Sequence, residues 1–346
     1  MSKARLALYG LLTSLVLLGA LEGLLRLTIP LNSLLFAWER ADSPYTILPT
    51  GMLQARPNQA LESSDGSYRW KIFANNLGLR ETAPTEGVRP KNQFRVLALG
   101  DSYMYGYSVT QGKTLCDQLE HLLPSIVHKD RVEVLNAAIP GSSAFDMLMR
   151  WQYLSRTLQL DALLLGAPHN AIRQNSLKKH RNSWYNEVKG APFINSYIYL
   201  GIRRIMAPLL RPRYAESANG PDHAGSIDDL WNIAHDARKR GLPVWMVEWP
   251  YQWSQARDHN FARDPRLDAR LGPEGVLFSA HALSQRSCWG FLDLGHPSEA
   301  GHRAIALTLA AAVARGTSDP RPATTPSCDE VEGIGPGKGI YKEWKN

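Results

Sequence analysis

The sequence predicts an α/β protein in which a parallel β-sheet lies between two layers of helices. Short apolar runs at residues 94–99, 131–136, 161–166 and 243–249 have the length and composition of buried strands. Segments with helical periodicity separate these runs, which is the βαβ pattern of a parallel sheet. The first three runs are followed by residues suited to chemistry, and open parallel sheets collect their functional groups at that edge. The prediction is therefore a three-layer α/β/α sandwich.

An N-terminal segment is predicted to cross a membrane once. Residues 6–21 are apolar apart from three polar side chains, and ~20 such residues span a bilayer. Lys3 and Arg5 precede this segment, which places residues 1–5 in the cytoplasm and the bulk of the protein outside. A cleaved signal peptide is the alternative because the apolar core is short, but no convincing cleavage pattern follows it. We expect an uncleaved anchor over residues 6–27.

The remaining segments complete the predicted domain organisation. Residues 28–92 are expected to form a juxtamembrane segment that packs on the main domain as an edge strand or a small cap. The main domain covers residues 93–316, with an insertion or lid at residues 171–225 that is rich in Arg, Lys, Trp and Tyr. That insertion has the composition of a polysaccharide-binding lid, but a solvated loop and helix remains an open alternative. Residues 317–346 are rich in Pro, Thr and Gly and are expected to be irregular.

Local signals mark two of the predicted helices. Glu22 and Arg26 are four residues apart, so they are expected to pair on one face of the anchor near the membrane interface. Ser226 is expected to cap a helix that has acidic residues in its first turn and ends before Gly241.

Two distant peptides supply the groups that acyl transfer needs. Residues 100–102 read Gly-Asp-Ser and follow the first apolar run, and residues 293–296 read Asp-Leu-Gly-His. A serine hydroxyl is a weak nucleophile unless a neighbouring base takes its proton and a carboxylate orients that base. The sequence therefore favours a serine hydrolase with Ser102 as nucleophile, His296 as general base and Asp293 as the orienting carboxylate. A plain turn or helix cap at Ser102 is the alternative.

Four separated blocks resemble those of the SGNH, or GDSL, hydrolase superfamily. In order along the chain they are residues 100–106, 134–141, 163–170 and 293–297. Residues 76–80 also resemble a segment common in membrane-anchored bacterial members of that superfamily. The resemblance covers about residues 70–315, and it implies a parallel, flavodoxin-like sheet and the SGNH hydrolase fold.

The same resemblance implies three donors to an oxyanion hole. They are the backbone N–H groups of Ser102 and Gly141 and the side-chain amide of Asn170. Glycine suits its position because the backbone must approach the substrate without a Cβ in the way. Many members of the superfamily have an aspartate directly after the asparagine, whereas this chain has Ala171, which weakens the correspondence at Asn170.

Composition narrows the classes of partner. The formal charge is +7, but the basic residues are scattered and form no known nucleic-acid-binding module, so we expect no nucleic-acid partner. Anionic headgroups or acidic glycans suit this charge better. No metal-ligand spacing occurs, so we expect no metal and no cofactor. Cys116 is expected to be buried, and Cys288 could pair with Cys328 in an oxidising compartment.

The resemblance implies a single-pass protein of the bacterial inner membrane with its catalytic domain in the periplasm. The expected activity is hydrolysis of acyl esters, above all O-acetyl esters, on a cell-envelope or exported polysaccharide, with the envelope polysaccharide machinery as a possible partner. A polysaccharide O-acetyltransferase with the same triad, a lipase or thioesterase, and an idle glycan-binding component remain alternatives, because a fold does not define a substrate.

Overall fold

The structure is a computed structural model that describes residues 2–34, 44–48, 53–64, 69–107, 109–167, 196–209, 221–248, 269–274, 276–279 and 296–316. The strands are β1 Tyr45–Ile47, β2 Leu53–Ala55, β3 Gln59–Ser64, β4 Arg69–Ala74, β5 Gln93–Leu99, β6 Arg131–Asn136, β7 Ala162–Ala167, β8 Val244–Glu248 and β9 Val276–Ser279. The α-helices are α1 Lys3–Thr28, α2 Leu31–Leu34, α3 Ser102–Tyr105, α4 Leu115–Leu122, α5 Pro124–Val127, α6 Ala144–Thr157, α7 Tyr197–Leu209, α8 Pro221–Lys239 and α9 Glu299–Arg315.

Five strands form one parallel sheet in the order β6-β5-β7-β8-β9. Numbered along the chain within that sheet, the order is 2-1-3-4-5, which is the flavodoxin-like arrangement. The predicted sheet is therefore confirmed, and four of its strands lie on the four apolar runs. The fifth strand, β9, was not predicted, because residues 276–279 contain only three apolar residues in a row.

Helices cover both faces of this sheet. On one face α4 and α9 pack together over Val96 and Ala98 of β5. On the other face α6 and α8 pack together over Leu97 and Leu99. Successive residues of β5 are apolar because successive side chains point to opposite faces and both faces are buried. These two cores give the predicted three-layer sandwich.

The start of α8 differs from the prediction. The helix begins at Pro221, so Ser226 is not its cap but a buried residue of the second turn. Proline is well suited to a first helical position, where its missing N–H has no intrahelical acceptor. The predicted end is confirmed: the helix stops at Lys239, and Gly241 follows with φ +79°.

The segment before β5 forms two small antiparallel ribbons, β1–β2 and β3–β4. Within the described residues, neither ribbon pairs with the central sheet, so the expected edge strand is not seen. After β4, the Asn75 side chain accepts hydrogen bonds from the Leu77 and Leu79 N–H groups at 3.0 and 3.1 Å. This turn leads Arg80 into the main domain, where its side chain is almost completely buried.

Helix α1 has the length and composition of a membrane span. It contains 26 residues, its apolar window has a mean hydropathy of 1.8, and none of that window is buried against the described protein. A signal sequence has the same features. The predicted pair is present near the end of α1, where Arg26 contacts the Glu22 carboxylate at 2.8 Å.

Candidate active site

Ser102 lies beyond the carboxyl end of strand β5, which is flanked by β6 and β7, at the first position of α3. The Gly100 position has no room for a side chain, because a Cβ there would lie 2.3 Å from the Met104 Cβ. Glycine therefore lets α3 fold back directly over the end of the strand. Asp101 caps this short helix, and its side chain accepts a hydrogen bond from the Tyr103 N–H at 3.0 Å. Asp101 thus caps the helix while the neighbouring Ser102 remains half-buried and partly open to solvent.

The structure brings Ser102 and His296 together. The Ser102 Oγ lies 2.8 Å from the His296 Nε2, across 194 positions of sequence. His296 precedes α9, which begins after the capping residue Ser298 and packs against α4. The serine hydroxyl can donate to Nε2 when the imidazole carries its proton on Nδ1. This is the arrangement in which an imidazole can remove a serine proton.

Asp293 and Asn170 lie outside the described residues, as do Cys288 and Cys328. Their sequence-based roles therefore stay predictions. Cys116 is a buried free thiol in α4, as predicted. Across the described ranges, no three His, Cys, Asp or Glu side chains come together as a metal-binding group.

Two tyrosine rings enclose the His296 imidazole. The Tyr103 and Tyr107 ring centroids lie 4.9 and 5.0 Å from the imidazole centroid, tilted by 31° and 40°. Their faces restrict how the imidazole can turn, so they help to keep Nε2 directed at Ser102. Sequence reasoning missed this role. The alternating tyrosines after Ser102 are visible in the sequence, but they do not show that two of their rings contact a histidine so distant in the chain.

Arg80 fixes the backbone that carries Tyr107. Its Nη1 donates to the Tyr105 and Gly106 carbonyls at 2.6 and 2.7 Å, and its Nη2 donates to the Val109 carbonyl. The guanidinium also lies 4.9 Å from the centroid of the Tyr105 ring. Burial lowers the pKa of Arg80 from its ordinary value, but an arginine with a lowered pKa remains charged near neutral pH. The carbonyl oxygens therefore stabilise a buried cation, and the cation in turn fixes the backbone at Tyr105, Gly106 and Val109.

Asn136, at the end of β6, supports α3 from the other side. Its amide Nδ2 lies 3.3 Å from both the Met104 and Tyr105 carbonyl oxygens, to which it donates. The backbone carbonyl of Asn136 accepts a hydrogen bond from the backbone N–H of Arg80 at 2.9 Å. Asn136 is part of the second resemblance block, but only Gly141 of that block was assigned a role from sequence. Arg80 and Asn136 together hold the C-terminal end of α3.

Gly141 lies in the loop that follows β6. Hydrogen bonds from the Ala137 N–H to the Ala98 carbonyl and from the Ile139 N–H to the Gly100 carbonyl continue the β5–β6 pairing beyond the strands. The loop therefore runs beside the turn that carries Ser102. Gly141 has φ +74°, and a Cβ there would meet no protein atom within 4 Å. The left-handed backbone favours glycine at this position, whereas the space around it would admit a Cβ.

The N–H groups of Ser102 and Gly141 are available for an external acceptor. Neither donates a hydrogen bond to another residue within the part of the chain that the structure describes. An unpaired N–H is expected at the first position of a helix, because it has no intrahelical acceptor. Both groups could therefore donate to a substrate oxygen.

A second histidine near the site has a structural role. The Nδ1 of His302, on α9, accepts a hydrogen bond from the Leu115 N–H at the start of α4, at 2.9 Å. Burial, together with smaller contributions from the neighbouring Arg80 and His296, lowers the pKa of His302 to about 3. The imidazole is therefore neutral and fastens α9 to α4, which positions the segment that begins at His296.

No protein-family model matches this chain, and no curated protein matches it. Several solved structures are similar to it. A member of the lipolytic protein G-D-S-L family from Veillonella parvula DSM 2008 is 15% identical with a TM-score of 0.39, over 64% of this chain and 96% of that one. AlinE4, an SGNH-hydrolase family esterase, is 15% identical with a TM-score of 0.38, over 66% and 98%. A two-domain esterase (CEX) active on acetylated mannans is 11% identical with a TM-score of 0.42, over 70% and 53%.

Proposed function

We propose that this protein is a serine esterase of the SGNH type that hydrolyses acyl esters through a covalent acyl-enzyme. The observation that supports this most directly is the 2.8 Å contact between the Ser102 Oγ and the His296 Nε2. A hydroxyl so close to an unprotonated imidazole nitrogen can lose its proton as it attacks a carbonyl carbon.

The proposed reaction has two halves. In the first, the Ser102 Oγ bonds to the ester carbonyl carbon, its proton moves to His296 Nε2, and that proton then leaves with the departing alcohol. In the second, His296 takes a proton from water as the water oxygen attacks the acyl carbon, and it returns that proton to the Ser102 Oγ as the bond between the acyl carbon and Oγ breaks and the free acid leaves. Asp293 is proposed to accept the His296 Nδ1–H and so maintain the required tautomer.

The oxyanion that forms in each half needs aligned donors. We assign this role to the Ser102 and Gly141 N–H groups, together with the Asn170 side-chain amide. A donor that is aligned in advance stabilises such a transition state by about 3–4 kcal/mol. This assignment is supported by the course of the loop that carries Gly141, which runs beside the turn that carries Ser102.

We propose an O-acetylated polysaccharide of the cell envelope, or an exported one, as the substrate. Helix α1 supports a membrane location, and the proposed topology is a single pass through the bacterial inner membrane with the domain in the periplasm. The basic and aromatic composition of residues 171–225 suits an anionic or carbohydrate ligand.

Turnover of a chromogenic acetyl ester tests the proposed chemistry. Ser102→Ala should lower kcat by about 10³-fold or more, and His296→Gln should have a similar effect, because the nucleophile and its base act as one unit. Ser125→Ala is the matched control, since Ser125 is an exposed serine in α5 and should leave turnover unchanged. Undiminished turnover by the purified Ser102→Ala protein would mean that the nucleophile is misassigned.

The acceptor of the acyl group is tested separately. An acetylated oligosaccharide should release acetate into water, and an added unacetylated oligosaccharide should gain no acetyl groups. Acetyl transfer to that acceptor at the expense of free acetate would identify a transferase with the same site.

A further inference from the structure

Helix α7 is joined to the membrane-type helix α1 by the carboxylate of Glu22. The Ser196 hydroxyl donates to this carboxylate at 2.9 Å, and the Tyr197 and Ile198 N–H groups donate at 2.9 and 3.0 Å. The first N–H groups of a helix have no intrahelical acceptor, and an anion at that end is stabilised by the helix dipole. Glu22 therefore caps α7 from a distant part of the chain.

Arg26 completes this junction. Its guanidinium contacts the Glu22 carboxylate at 2.8 Å and lies 4.9 Å from the centroid of the Tyr197 ring. A carboxylate is costly in an apolar environment unless it is paired. Because Glu22 has both a cation and several donors, it can lie where an apolar helix leaves a bilayer.

The position of Glu22 along α1 agrees with that boundary. A helix rises about 1.5 Å per residue, so ~20 residues cross a hydrocarbon core of about 30 Å. Counted from Leu6, where the apolar segment begins, that length ends at Leu25, less than one helical turn after Glu22. Helix α7 therefore begins at the outer surface of the membrane that α1 would cross, and it contacts both α1 and α2.

One face of α7 is apolar and exposed. Ile202 and Ile205 are 57% and 70% exposed, whereas Leu200 is 2% exposed. Ile198, Ile202 and Ile205 are spaced by four and three residues, so they share one face of the helix. Arg203 and Arg204 give the same short helix two positive charges and no negative ones.

We propose that α7 is an interfacial helix, which lies in the headgroup layer of the bilayer with Ile202 and Ile205 against lipid. This rests on the membrane anchoring proposed above. An exposed apolar face combined with basic residues is the pattern of helices that bind anionic membrane surfaces. The Glu22 junction holds α7 beside α1, whose residues Leu21 and Leu24 are also exposed, at 44% and 57%. Helix α7 thereby holds part of residues 171–225 at the membrane surface.

Depth-dependent quenching of a fluorophore tests the proposal on the full-length chain. The native cysteines are replaced by serine, and an environment-sensitive label is attached to Ile205→Cys in vesicles of phosphatidylglycerol and phosphatidylcholine. The expected result is a blue-shifted emission that is quenched by lipids spin-labelled at a shallow depth. A label at Val88→Cys is the matched control, because Val88 is an apolar residue with a similar exposure of 66%; its emission should be neither shifted nor quenched. Turnover of the chromogenic ester verifies that each labelled protein is folded.

A third label, at Leu12→Cys in α1, separates the two proposals. Quenching at Leu12 but not at Ile205 would overturn the interfacial helix while leaving the anchor intact. No quenching at either position would overturn the anchor and the interfacial helix together. A different result would be that the label at Ile205 quenches itself, to a degree that rises with the protein-to-lipid ratio. This result would identify a second copy of the chain, and not lipid, as the occupant of this face, and it would also overturn the proposal. Replacing phosphatidylglycerol by phosphatidylcholine should weaken the quenching at Ile205 and leave that at Leu12 unchanged.

Discussion

At the scale of single residues, two histidines six positions apart have opposite environments. His296 is half-buried, lies between two tyrosine rings and contacts the Ser102 hydroxyl. His302 is fully buried, and its Nδ1 accepts a backbone hydrogen bond. Burial disfavours the charged form of an imidazole, so His302 serves as a neutral acceptor in the core. Of these two histidines, His296 is the one that is placed to exchange protons with a substrate.

The neutral state of His302 predicts how stability depends on pH. Its pKa is about 3 in the folded protein and about 6.5 in an unfolded chain, so between these values the unfolded state binds a proton that the folded state does not. This contribution to the free energy of unfolding is therefore present above about pH 6.5 and is lost as the pH falls towards 3, by up to about 1.4 kcal/mol per pH unit.

The variant His302→Asn keeps an acceptor but cannot titrate. Urea unfolding between pH 4 and 7 should therefore show a shallower loss of stability at acid pH than in the natural sequence. His121→Asn is the control, because His121 is exposed on α4 and its replacement should leave the pH dependence unchanged. Parallel curves for the natural sequence and His302→Asn would contradict the assigned role.

At the scale of elements, the four-residue helix α3 cannot be stable alone, because isolated helices shorter than about 12 residues are marginal. Its position depends on contacts from outside. Gly100 allows it to pack on the strand end, Asn136 donates to two of its carbonyls, and Arg80 donates to carbonyls at and beyond its end. The nucleophile is thus held by residues from three separate parts of the chain.

Replacing Arg80 by Met should remove most of this support. The substitution leaves buried carbonyl oxygens without donors, and each such group costs about 1–3 kcal/mol. We expect the free energy of unfolding to fall by roughly 3–5 kcal/mol, as for other changes that disrupt buried polar networks. Urea denaturation measures the loss, with Arg131→Met as the control, because Arg131 is exposed at the start of β6 and its loss should change stability by less than about 0.5 kcal/mol.

Arg80→Lys separates positioning from stability. A lysine keeps the charge but lacks the fork that reaches several carbonyls, so kcat should fall while KM changes little. Equal activity of the folded Lys and Arg proteins would mean that Arg80 does not position the site.

At the scale of the whole molecule, four of the five strands of the parallel sheet follow from features that the sequence displays well. The apolar runs of β5, β6, β7 and β8 are long enough to be recognised, and both of their faces are buried. The meeting of Ser102 with His296 was predictable because a serine nucleophile needs a neighbouring base, and because the last of the four resemblance blocks supplies a histidine. The short strand β9 and the start of α8 at Pro221 are not marked by a long apolar run of this kind.

Contacts that join distant segments were not predictable in the same way. Arg80 donates to backbone carbonyls, which every residue has, so the sequence does not show which ones it will reach. The ring of Tyr107 contacts His296, which is almost two hundred residues away. The capping of α7 by Glu22 is of the same kind. Pairs within one helix, such as Glu22 with Arg26, could be predicted because helical spacing alone brings them together.

The most direct test of Ser102 as nucleophile and His296 as its base is to measure the mass of the protein after reaction with a fluorophosphonate and then to identify the modified peptide. Such a reagent reacts with a serine whose proton is removed by a neighbouring base. The proposed mechanism predicts a single adduct on Ser102, much slower labelling of His296→Gln and no labelling of Ser102→Ala. An adduct on any other residue, or equal labelling of the Ser102→Ala protein, would contradict the proposed nucleophile and its base.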